Sequence, residues 1–154
     1  MSIRTMGTAI RVGAAVAGLA LGGLVAGGTA ASAAPPVVLG VPGLMGEHAI
    51  GWGTVKPREI YNGGVPSGSI RKITWRRWGT RTAYGSGMTP IYSPRGGYYT
   101  TLGRARLRAY DRGSCTPGGP LVYRKLKVRT VEKPGGRLGK WFLWGGMTSL
   151  CGDD

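Results

Sequence analysis

The residues of this chain best equipped to do chemistry are cations. Arg104, Arg106 and Arg108 stand at every second position, and Lys125, Lys127 and Arg129 repeat the pattern further along. In an extended segment, alternate side chains leave the same face about 6.7 Å apart. Each run would then present a row of charges, with Ala105, Leu107 and Ala109, or Leu126, Val128 and Thr130, facing the other way. Two unit charges at that spacing in water repel by about 0.6 kcal/mol before salt screening. A solvated face tolerates that with no function attached. Repeated cations with Tyr99, Tyr110 and Tyr123 nearby also suit a polyanion, held through release of its counterions. The polyanion could be a teichoic acid, an acidic polysaccharide, a nucleic acid or a surface of anionic lipid head groups.

Other chemistry is thinly supplied. Arg76 and Arg77 lie between Trp75 and Trp78, where they could stack planar groups or simply cover a strand whose Trp side is core. His48 is the one histidine, with Glu47 beside it. Acid–base or nucleophilic catalysis needs an orienting partner and a held nucleophile, and nothing local offers either. Glu59, Asp111 and Glu132, set among so many cations, read as salt-bridge partners rather than a hydrolytic carboxylate pair. The Gly pairs follow Pro in turns and open no phosphate-binding helix. The expectation is a non-enzymatic chain without a metal site or cofactor.

Cys115 and Cys151 are the only cysteines. One histidine cannot complete a zinc site with them, and a lone pair in an exported chain is most simply one disulfide.

The elements that must position these groups are strands. Gly and Pro, 30 and 10 in number, cluster between short alternating apolar runs, which is the grammar of strand and turn. Strands are expected near 58–61, 70–78, 81–88, 98–102, 104–111, 121–131 and 140–144. No stretch between them has a helical period. The fold class is therefore all-β: a small antiparallel sandwich or barrel of about six to seven strands with one disulfide. The segment 140–144, with Trp141, Phe142 and Trp144, is expected to bury at least one face. Two basic strands joined by one turn-rich connection commonly pair as neighbours.

At the N-terminus Arg4 and Arg11 precede an uncharged stretch of Ala, Gly, Val and Leu that ends in Ala31, Ser32 and Ala33. This is the order of a cleavable export signal. Its many glycines argue against a retained spanning helix. Residues 1–33 are read as a signal peptide, 34–50 as a flexible arm and 51–154 as the secreted β domain. Cleavage would remove Arg4 and Arg11 and lower the formal charge from +15 to +13. A charge so far from zero keeps a protein soluble and draws it toward polyanions.

Ile73-Thr74-Trp75, Trp78-Gly79 and Ala83-Tyr84-Gly85-Ser86-Gly87, followed by Cys115 and Gly118-Gly119, resemble a group of small secreted actinobacterial proteins without assigned activity. The resemblance covers about half of the chain beyond residue 33 and implies export and a β-rich body. It carries no active-site residues. Many of those proteins are less basic, with Ser in place of Arg76 and Arg77.

Three functions follow as expectations: a secreted polyanion-binding domain, a disulfide-braced protein-interaction or inhibitor module working through exposed loops such as 94–97, and a small secreted hydrolase or nuclease-like toxin. The first fits the charge pattern best. A monomer with no transmembrane segment after signal cleavage is expected.

Overall fold

Seven strands form one curled sheet. A computed structural model describes residues 35–152; the proposed signal peptide lies outside the described residues. The strands are β1 (Val38–Leu39), β2 (Ile60–Tyr61), β3 (Ser69–Arg76), β4 (Thr82–Thr89), β5 (Gly103–Ser114), β6 (Leu121–Thr130) and β7 (Phe142–Leu143). Their order is β1-β6-β5-β4-β3-β2, and β7 also pairs with β6. The sheet curls into a half-barrel. It is antiparallel except where β1 runs parallel to β6, Val38 opposite Val122 and Leu39 opposite Tyr123.

Alternation decides which way each strand faces. In β5, Ala105, Leu107 and Ala109 are buried while Arg104, Arg106 and Arg108 are exposed. Leu126 and Val128 of β6 join them inside the curl, with Ile60, Ile70, Ile73, Ala83 and Leu39. Strand β4 contributes glycines to this inner face. A Cβ on Gly85 would meet the Trp75 ring and the Leu107 Cβ at 3.1 and 3.2 Å. Gly87 leaves still less room, 2.8 Å from both the Arg71 carbonyl oxygen and Ile70 Cγ2. With no side chain there, Trp75 and the isoleucines of β3 lie directly on the backbone of β4. Trp144, just after β7, is buried and donates from Nε1 to Oδ1 of Asn62, just after β2, at 2.8 Å.

Several expectations are corrected. The segment read as a flexible arm supplies β1, and Val37 and Leu39 are core residues. Its backbone is tied down by Leu39 N–H to the Thr54 carbonyl at 3.0 Å and Val41 N–H to the Leu150 carbonyl at 3.1 Å. A two-residue strand is too short to show a period, which is why composition alone read as loose. The stretch 98–102 is no strand; Tyr98 makes only an isolated bridge to Tyr92. The strand expected at 140–144 shrinks to Phe142 and Leu143. Trp144 is core, yet Trp141 and Phe142 are exposed.

Cys115 and Cys151 form the disulfide, with Cα atoms 5.4 Å apart. Among the described residues no helix is long and apolar enough to cross a membrane.

Candidate functional site: a basic sheet face

The outward side of the central strands carries the charge. Pairing of β5 with β6 sets Arg106 opposite Arg129, Arg108 opposite Lys127 and Tyr110 opposite Lys125. On the other flank of β5, β4 sets Met88 opposite Arg104, Ser86 opposite Arg106 and Tyr84 opposite Arg108. Beyond it, β3 adds Thr74 opposite Ser86 and Arg76 opposite Tyr84. Arg104, Arg106, Arg108, Lys125, Lys127 and Arg129, six cations singled out from sequence, thus emerge on neighbouring strands. Arg76, seen first only as the neighbour of two tryptophans, joins them.

Directly opposed side chains in an antiparallel pair have Cβ atoms about 5 Å apart, and like charges there are destabilising. Among the described residues acids relieve the arrangement only at Lys125. Among the described residues the ion pairs are His48–Glu47, Arg71–Glu59, Arg124–Asp111 and Lys125–Asp111. Of the six, only Lys125 has a carboxylate within reach, at 3.9 Å. Arg104 donates from Nη2 to the Gly136 carbonyl at 3.0 Å. Aromatic rings take up some of the rest. The Arg108 guanidinium and the Lys127 ammonium lie 5.2 and 5.9 Å from the Tyr110 ring centre. Arg129 lies 4.8 Å over Trp141, with its buried Nε unpartnered among the described residues.

The aromatic part of the sequence reading needs correction. Tyr110 belongs to the face, but Tyr123 is fully buried and Tyr99 lines a separate hollow beside Glu132 and Lys133. Parity does not foretell this burial, because the register of β5 with β6 runs unchanged past it, Tyr110 opposite Lys125 and Arg112 opposite Tyr123, and it is Trp78 and the turn after β3 that cover the ring. Arg124 donates to the carboxylate of Asp111, a non-glycine residue at φ 60, at 2.7 Å. Both Val122 and Tyr123 are buried. The Tyr123 ring packs against Trp78 at 5.1 Å. Its hydroxyl accepts from Gly79 N–H at 2.9 Å and donates to the Thr80 carbonyl at 2.8 Å. Burial pushes this hydroxyl above its usual pKa, opposed by the Gly79 hydrogen bond and the Arg112 charge.

Three side chains on the face escaped the sequence reading: Tyr84, Ser86 and Trp141. Tyr84 and Ser86 stand at alternate positions of β4 between inward Ala83, Gly85 and Gly87, and that alternation was the available signal. Trp141 belongs to an aromatic run for which the sequence predicts at least one buried face, and of its aromatics Trp144 is the buried one. Trp75 and Trp78 do pack on the core, each with its indole N–H satisfied, by the carbonyls of Pro57 and Val37 respectively at 2.9 Å.

His48 and Glu47 are highly exposed neighbours. Among the described residues no group of three or more His, Cys, Asp or Glu could hold a metal ion.

Fold and face together define the class: a disulfide-closed β half-barrel whose cationic outer surface has, among the described residues, a carboxylate partner only at Lys125. Comparison with protein-family models, curated proteins and solved structures gives no match to this chain.

Proposed function

We propose that the protein is an exported, non-enzymatic β domain that binds polyanions of the cell envelope or its surroundings through the outer face of β4, β5 and β6. The supporting observation is the opposition of Arg106 to Arg129 and of Arg108 to Lys127 with no carboxylate among the described residues close enough to pair with any of the four. Opposed cations cost the free protein stability, and an incoming anion removes that cost. A face selected only for solubility would be cheaper with acids interspersed. The N-terminal signal pattern and the disulfide fit an oxidising, extracytoplasmic setting.

Binding that rests on counterion release weakens linearly in the logarithm of salt, by about 0.9 in slope for each phosphate neutralised on a duplex and about 0.7 on a single strand. Retention on a heparin-like resin and on nucleic acid should therefore fall steeply with salt. The double reversal Arg106→Glu with Lys127→Glu should flatten the slope by roughly two contacts' worth. Salt-independent binding, or an unchanged slope in the double variant, would overturn the reading.

A further inference from the structure

The basic face is not flat. Its neutral strand, β4, lies between two cationic ones and forms the floor of a groove. Tyr84, Ser86 and Met88 point outward from the floor. Arg104 and Arg106 of β5 make one wall, and Lys72, Thr74 and Arg76 of β3 the other. Two hollows of about 390 and 270 Å³ follow one another along the strand and share Thr74, Ser86 and Arg106. Trp141, 39% exposed, closes the side of the larger hollow, and Tyr84, 43% exposed, lies within it.

We infer that this groove holds a single strand of nucleic acid running along β4, its phosphates on the two walls and its bases against Tyr84 and Trp141; the inference rests on the polyanion reading above. Three observations choose this ligand among polyanions. The first is width. Beside Arg104 the walls are two strand spacings apart, about 10 Å between backbones, and the larger hollow widens across β5 to Arg129 and Trp141, which admits one extended chain with its bases turned toward Trp141 and leaves a double helix on the rims. Second, two exposed aromatic rings stand among guanidiniums, the combination by which base-stacking grooves hold single strands. A chain of bare glycerol phosphates has no ring to place on them. The third is the supply of acceptors. Neither hollow is lined by an Asp, Glu, Asn or Gln side chain. Sugar hydroxyls need acceptors as well as donors; guanidinium and ammonium groups only donate, which leaves the hydroxyls of Thr74, Ser86 and Tyr84 as the side-chain acceptors of the two hollows. The same lack leaves little with which to read base edges, so binding is expected to tolerate any sequence.

The test measures binding of the protein at low, moderate and high salt to four probes: oligothymidylate, an abasic deoxyribose-phosphate strand of equal length, a duplex with the same number of phosphates, and polygalacturonate. Oligothymidylate should bind about tenfold more tightly than each of the others and quench Trp emission. Trp141→Ala and Tyr84→Ala should each weaken it by about tenfold, as loss of a stacking platform does, with little effect on the abasic strand. Ser86→Leu keeps every charge and should weaken oligothymidylate by obstructing the floor. Equal affinity for the abasic strand, a duplex bound as well or better, or polygalacturonate competing on equal terms would overturn the single-strand assignment and leave the polyanion reading standing. Salt-insensitive binding, or no binding to any of the four at low salt, would sink both.

Discussion

Tyr123 shows how one side chain couples the two ends of the fold. From β6 its ring reaches the turn after β3, where the hydroxyl both accepts from Gly79 and donates to Thr80. Replacing it with Phe leaves the Gly79 N–H and the Thr80 carbonyl without their partner, a loss of about 1–3 kcal/mol at neutral pH. The direction of its pKa adds a second signature. Burial raises the folded-state value above the ordinary 10.0, so the neutral hydroxyl's contribution is whole below pH 10 and fades as pH climbs through the folded value. Denaturant titrations from pH 8 to 11.5 should show wild-type stability falling on the alkaline side and a shallower fall in Tyr123→Phe. Parallel profiles would mean that another group governs the alkaline limb. None of this was legible in sequence, where strict alternation put Tyr123 among the cations. What covers Tyr123 is Trp78 and the turn after β3, and which distant segment packs over a strand position is a matter that periodicity cannot foresee.

At the level of elements, legibility followed length. The eight to twelve residues of β3, β4, β5 and β6 give enough repeats for period two to emerge, and the cations of β5 and β6 came out on the expected side. The pairs of residues in β1, β2 and β7 owe their conformation to the long strands they bind, and the sequence around them shows little. The groove was missed for a related reason: it depends on β4 being flanked by β3 and β5, a matter of strand order. The glycines of β4 make that arrangement possible, and Gly87 tests it. An added methyl would sit 2.8 Å from a backbone oxygen, which neighbouring side chains cannot relieve. Gly87→Ala should therefore destabilise the fold by about 1–3 kcal/mol, the usual range for overpacking, seen as a lower midpoint in urea. Wild-type stability in this variant would mean that β3 does not lie on β4 as described.

For the molecule as a whole, the Cys115–Cys151 bond closes a separation of 36 residues and ties the end of β5 to the C-terminal segment. That segment is itself woven in, Leu150 N–H donating to the Arg124 carbonyl at 2.7 Å while its own carbonyl accepts from Val41. One covalent link thus secures the β5–β6 hairpin, the C-terminal segment and, through Val41, the chain leading out of β1. The chain-entropy estimate for a loop of this length is about 4 kcal/mol, a large share of the 5–15 kcal/mol typical of a domain. The basic face depends on the bond only indirectly. Arg104, Arg106 and Arg108 are held by ladders to β4 and β6 that persist while the sheet is folded. Cys115→Ser with Cys151→Ser should thus lower the unfolding free energy by roughly 3–4 kcal/mol in denaturant titration, yet keep salt-dependent retention on a polyanion resin at temperatures where the sheet remains folded. Loss of that retention in a variant whose far-ultraviolet spectrum is unchanged would show that the C-terminal segment, and not the strand ladders alone, sets the geometry of the face.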